Sequence, residues 1–126
     1  LPKTIHDAPS GPSPIGPYSI VTEANGFVFL SGMVPIDPDT GSGVDGDIGL
    51  QTDRVMRNIG AVLGDVGLDF SDIVKTTIFL EDIDDFPQVN AVYGTFIGDA
   101  RPARSTVQVG ALPGGFGVEI ECIAAR

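Results

Sequence analysis

Only two stretches of this chain repeat apolar residues at helical spacing, against five that read as strands. One thin layer of helices must therefore serve a sheet whose strands are rich in apolar residues. The first helix is expected from Ile48 to Val66. Val55, Ile59, Val62, Leu63 and Val66 fall at i, i+4, i+7, i+8 and i+11, and Gly67 suits the position that ends a helix. The second starts at an N-cap supplied by Asp84 or Asp85, tolerates Pro87 in its first turn and runs to about Ile97. Its apolar face is Phe86, Val89, Tyr93, Phe96 and Ile97.

The strands are expected at residues 17–22, 27–32, 73–80, 103–109 and 118–124. Asn25-Gly26 joins the first two as a tight hairpin. The order β-β-α-β-α-β-β predicts an α+β fold, a mixed β-sheet with two helices packed on one face. Two helices cover one face only. Yet Phe27-Val28-Phe29-Leu30 is apolar on both faces, and residues 73–80 carry apolar groups on each. An uncovered apolar face of that size marks an interface, so a homo-oligomer of closed cyclic symmetry, joined through the sheets, is predicted.

At 126 residues the chain suits one domain, 1–126. Pro2, Pro9, Pro12, Pro14, Gly11 and Gly16 make residues 1–16 an irregular N-terminal arm. His6 lies in that arm and is read as solvated; it is the only histidine, so no His-based metal site is expected. Residues 33–47 are rich in Pro, Asp and Gly but lack the register of a calcium loop, and read as a solvated turn.

The formal charge of −10 argues against a nucleic-acid partner, because that affinity rests on Lys and Arg neutralising phosphates. It also argues against anionic membranes. No apolar run approaches the ~20 residues that span a bilayer, and no basic segment leads into an apolar one as in a secretory leader. Cys122 is the only cysteine, which fits a reducing, cytoplasmic setting.

The residues with chemical promise cluster late in the chain. Arg101-Pro102-Ala103-Arg104-Ser105-Thr106-Val107-Gln108-Val109 turns at proline and then alternates as a strand. Arg104 sits mid-strand on an acidic protein. A guanidinium is always charged and grips a carboxylate with two parallel hydrogen bonds, so it is a candidate clamp for an internal acid or an anionic ligand. On the last strand Val118, Ile120 and Cys122 face one way, Glu119 and Glu121 the other. A Glu on that strand is expected to pair with Arg104 across neighbouring strands. Ser31-Gly32 ends its strand in small residues that let backbone approach a ligand. Asn90 adjoins the apolar face of the second helix, and its spacing alone favours a solvated position. Arg54 and Arg57 fall outside the apolar set of the first helix and read as solvated too. The glycines of Pro113-Gly114-Gly115-Phe116-Gly117 do not open a helix, so no phosphate cradle is expected. No Ser-His-Asp or Cys-His arrangement is available, which disfavours an acyl intermediate.

Six segments then carry a resemblance: Ile15-Gly16-Pro17-Tyr18-Ser19, Phe29-Leu30-Ser31-Gly32, Ile73-Val74-Lys75-Thr76-Thr77, Val89-Asn90-Ala91-Val92-Tyr93, Arg101-Pro102-Ala103-Arg104-Ser105-Thr106 and Val118-Glu119-Ile120-Glu121. In this order they resemble the RidA (YjgF/YER057c/UK114) family of reactive-intermediate deaminases. The resemblance implies a chorismate-mutase-like homotrimer with active sites in clefts between subunits. It implies hydrolysis of 2-imino acids such as 2-iminobutanoate and 2-iminopropanoate to 2-keto acids and ammonia, with no metal or organic cofactor. By position, Arg104 would hold the substrate carboxylate and Glu119 the attacking water. Tyr18, Ser31 and Asn90 would line the pocket, and the backbone near Thr106 would orient the substrate. Many members carry Cys where Thr106 stands, and a charged turn where Gly114-Gly115-Phe116 stands. The competing expectations are a noncatalytic 2-keto acid sensor using the same clamp, a structural trimer, and the ribonuclease, translation-inhibiting or chaperone-like activities described for the family.

Overall fold

The computed structural model describes residues 2–126. Six strands form one mixed sheet: β1 (Thr4–His6), β2 (Val21–Ala24), β3 (Phe27–Met33), β4 (Ile73–Leu80), β5 (Ala103–Gln108) and β6 (Val118–Ala125). They are ordered β1-β2-β3-β6-β4-β5 across it. All neighbours are antiparallel except β4 and β5, which are parallel. The parallel pair is joined through α2 (Phe86–Ile97), and β3 leads through α1 (Ile48–Asp65) to β4. Both helices pack on one face, as expected.

Local chemistry sets the boundaries. Asp47 caps α1 by accepting from the Gly49 and Leu50 amides, 2.6 and 3.4 Å away. At the far end the Leu68 and Gly67 amides reach back to the Leu63 and Gly64 carbonyls. This closure needs the left-handed backbone that Gly67 adopts at φ +78°. Asn25 and Gly26 have φ of 53° and 81°, the tight turn that keeps β2 and β3 in register. Asp85 occupies the N-cap of α2 but makes no capping bond through its side chain. Asp82 instead accepts from the Asp84 amide in the short turn before it.

The core lies between helices and sheet. Val55, Ile59, Val62 and Leu63 of α1 meet Val28, Leu30, Ile78, Leu80, Val118 and Ile120 from the central strands, all at most 4 % exposed. Burying each such side chain stabilises the fold by roughly 1.5–3 kcal/mol as an upper estimate. The opposite face carries Phe27, Phe29, Phe79, Val107 and Ile123. Within one chain Phe27 and Phe29 are 47 % and 39 % exposed, so burial on both faces of this strand does not hold for a single copy.

Four further expectations are corrected. The arm is not irregular throughout: Thr4–His6 pairs with β2 as β1. His6 is half-buried and its Nε2 lies 2.7 Å from Glu23 Oε1, with Arg126 Nε donating to Glu23 Oε2 at 2.9 Å. The strand expected from Pro17 begins only at Val21, because the Tyr18 amide turns back onto the Gly16 carbonyl at 2.9 Å and leaves the ladder. Arg57 is exposed as its spacing predicts, donating to Asp53 at 2.8 Å and lying over the Phe96 ring, whereas Arg54 is only partly exposed and its Nε is buried without a partner.

Candidate functional site

Arg104 is placed by the β4–β5 ladder, where it pairs in register with buried Thr76. Strand alternation sends its side chain to the helix face, under α2. Its Nη1 donates to Asn90 Oδ1 at 2.7 Å. Its guanidinium carbon lies 5.3 Å from the Phe86 ring centre and 5.1 Å from that of Tyr93, both within cation–π range. Tyr93 is 5 % exposed and its hydroxyl shares a 2.8 Å hydrogen bond with Thr76 Oγ1. The ring cannot swing away without breaking that bond. Phe86, Asn90 and Tyr93 recur at i, i+4 and i+7, so one stripe of α2 holds the guanidinium from three sides.

Arg104 makes no ion pair among the described residues. With Asn90, Tyr93, Gly94, Ile97, Arg101 and Pro102 it lines a cavity of about 410 Å³. Two positions further along β5, buried Thr106 Oγ1 has no hydrogen-bond partner. An orphaned hydroxyl beside an unpaired guanidinium is an unfinished polar surface, because buried polar groups are normally satisfied.

A second group forms on the other side of the sheet. Glu119 of β6 projects from the open face, and a Cβ added at Gly32 would collide with its carboxylate. A side chain at this position would push the Glu119 carboxylate aside, so Gly32 leaves it room where it stands. A bulge between Leu30 and Met33 brings Ser31 and Gly32 to this position. The Ser31 hydroxyl donates to the Ser19 carbonyl at 2.7 Å, and the Ser31 amide to the Ile20 carbonyl at 2.9 Å. These bonds hold the segment that carries Tyr18, which is 48 % exposed. Burial pushes the Glu119 carboxyl above its ordinary pKa, and the charge of Glu121 on the same face adds to the rise.

The expected Arg–Glu pair across neighbouring strands is therefore overturned. β4 lies between β5 and β6, and the two side chains leave the sheet on opposite faces. The sequence-derived residues fall into two groups, Asn90, Arg104 and Thr106 in one and Tyr18, Ser31 and Glu119 in the other. Asn90 is exposed, as its spacing predicts, and Arg104 engages its oxygen.

The endoribonuclease L-PSP family pattern matches residues 8–126. The chain belongs to this family, the RidA (YjgF/YER057c/UK114) family. It is 52 % identical over 124 residues to protein DfrA of Myxococcus xanthus, covering 97 % of this chain and 94 % of that one. It is 41 % identical to the mouse 2-iminobutanoate/2-iminopropanoate deaminase, covering 91 % and 85 %. The solved structure of E. coli TdcF with bound serine superposes with a TM-score of 0.91 at 36 % identity, covering 98 % of each chain.

For a RidA-family chain, the stacking of Phe86 and Tyr93 on Arg104 is what residue spacing alone passed over. Both were assigned to the apolar face of α2, where Tyr93 also serves the core. The available signal was the i, i+4, i+7 stripe shared with Asn90. Cys122 takes no part. It is 3 % exposed on the helix face of β6, and burial pushes its thiol up to about 12, where little thiolate exists at neutral pH.

Proposed function

We propose that this chain is a cofactor-independent imine hydrolase acting on small 2-imino acids, with 2-iminobutanoate and 2-iminopropanoate as the type substrates. Its site forms where one copy meets another in a homotrimer. The observation that carries this reading is the division of the polar residues into two groups on opposite faces. Neither group is a complete site, and the exposed apolar face around Phe27 and Phe29 gives a second copy a surface to pack on. The group at the β5 edge then meets the neighbour's group around Glu119.

The chemistry follows from the residue types. Arg104 binds the substrate carboxylate through its fork, pre-oriented by Asn90, Phe86 and Tyr93. Glu119 holds a water against the imine carbon, and its raised pKa suits a carboxyl that must both accept and return a proton. Water oxygen bonds to that carbon while Glu119 takes a water proton and the nitrogen is protonated. Glu119 then returns its proton to the amino nitrogen of the resulting carbinolamine and takes the hydroxyl proton as the C–N bond breaks, so that ammonia leaves and the C=O bond of the keto acid forms. An imine carbon is already electrophilic, so positioning and proton transfer account for the catalysis required. Tyr18 and Ser31 shape the wall on the Glu119 side, and the Thr106 hydroxyl and backbone border the Arg104 side.

A second reading keeps the clamp and drops the chemistry, making the chain a 2-keto acid sensor. TdcF holding serine, which has no imine to hydrolyse, supports such ligand binding. One experiment separates the two. An amino-acid oxidase generates the imine in situ, semicarbazide traps it, and the adduct is followed with wild type and Arg104→Ala. Hydrolysis predicts that wild type suppresses the adduct and the variant does not. Equal, unsuppressed adduct with both proteins across several side chains would overturn the hydrolase and favour the sensor.

A further inference from the structure

The cavity beside Arg104 holds a second arginine that the proposed reaction does not use. Arg101 and Arg104 are two of only seven basic residues in a chain of net charge −10, yet both line the same space of about 410 Å³. No acidic side chain lines it. Among the described residues neither arginine is in an ion pair, although Arg57 and Arg126 both are. Two unpaired guanidinium groups on an acidic protein form a local positive field that draws anions.

The backbone points the same way. Arg101 adopts left-handed φ of 44° and ψ of 56°, a conformation that costs a non-glycine residue and is usually retained for a reason. Glycine would fit there without strain. Across the cavity, Gly94 stands inside α2, where alanine would stabilise the helix, and a Cβ there would meet nothing within 4 Å. Its missing side chain leaves space on the helix side of the two arginines. Arg101 and Arg104 are three residues apart, so their Cα atoms lie at most about 11 Å from one another. With the Arg104 guanidinium held in place and the Arg101 side chain free to extend, that span suits both ends of a short diacid.

We propose that this site prefers 2-imino acids whose side chain ends in a second carboxylate. Arg104 takes the α-carboxylate and Arg101 the distal one. The inference rests on the imine-hydrolase reading of the site and goes beyond it by naming the substrate class and a specificity-determining residue.

The test compares 2-iminoglutarate, generated from L-glutamate by an oxidase, with 2-iminopropanoate generated from alanine. Wild type, Arg101→Gly and Arg101→Lys are measured on both. Arg101→Gly removes the charge and relieves the left-handed strain, so the fold is retained and thermal melting verifies it. The expected result is a loss of about tenfold or more in kcat/KM for the diacid, mostly in KM, and less than twofold for iminopropanoate. Arg101→Lys recovers part of the difference. Equal effects on both substrates, or a stability change with no shift in preference, would overturn the proposal and make Arg101 a partner of the α2 C-terminus. If wild type hydrolyses neither imine, the hydrolase reading fails separately. Calorimetric binding of 2-oxoglutarate and pyruvate to the same proteins then decides the diacid preference, which is lost if Arg101→Gly weakens both ligands equally or neither.

Discussion

Arg104 and Glu119 leave the same sheet on opposite faces, with β4 running between their strands. The strands that carry them are about 10 Å apart at the usual spacing. No rotamer change brings a guanidinium through a packed sheet to a carboxylate on its far side. The relationship therefore separates the two candidate groups within one chain, and the proposed site needs a contact between copies.

Arg104 is held as a plane, by one hydrogen bond and two rings. Arg104→Lys keeps the charge but loses the fork and the stacking. The expected cost is roughly 1.5–3 kcal/mol of transition-state binding, about 10- to 100-fold in kcat/KM. Steady-state kinetics of the imine assay measure it. A lysine variant with wild-type kcat/KM would show that charge alone suffices.

Glu119 carries opposite consequences for activity and stability. Its folded pKa is raised above the ordinary value of 4.5, so the fold holds this proton more tightly than the unfolded chain does. Its contribution to stability is most favourable below that ordinary value. It is lost as pH rises through the window from there up to the raised folded value. Glu119→Gln removes the loss, so the variant gains on wild type across this window and keeps the gain at neutral pH. Its turnover falls by roughly 100-fold or more as the proton acceptor disappears. Urea melts between pH 4 and 8 read the first effect and the imine assay the second.

Thr76 and Tyr93 form a buried polar pair behind the guanidinium. Thr76→Val fills the same space but strands the Tyr93 hydroxyl, at a cost of about 1–3 kcal/mol and several degrees of Tm. Adding Tyr93→Phe removes the stranded group and recovers much of that loss. Thermal denaturation of both single variants and the double variant gives the coupling, and strict additivity would contradict the pairing.

Phe29 stands on the uncovered face at 39 % exposure. Phe29→Asp leaves the helix-side core untouched but places a charge in the proposed contact between sheets. Sedimentation is expected to shift from a trimer to a 13.1 kDa monomer with unchanged circular dichroism. A variant that stays trimeric would move the interface elsewhere.

The helices and β4 were legible in the sequence because their apolar periods are long and their ends carry strong signals, Gly67 among them. β1 was not. Its three residues have no period of their own and are strand only because β2 offers an edge, with His6 reaching Glu23. Pro17–Ile20 failed for the converse reason: the residues look extended, but a local turn at Gly16–Tyr18 takes them out of the ladder. At the site, Arg104 and Glu119 were legible as isolated charges on strands. Their relation was not, since it depends on β6 pairing with β4, and strand order is a long-range choice that alternation along one strand does not encode. The exposed position of Asn90 was legible, but its bond to Arg104 was not, because that partner lies 14 residues on, in a strand parallel to β4.

The central claim is that a working site takes Arg104 from one copy and Glu119 from another. Arg104→Ala and Glu119→Gln proteins would be prepared separately, unfolded together in equal amounts, refolded and assayed for imine hydrolysis. Each variant alone is inactive, but mixed trimers rebuild intact pairs at roughly a quarter of the interfaces for random assembly. Activity near that fraction of wild type is the predicted result. A mixture as inactive as either parent, with mixed trimers shown to be present, would contradict the account.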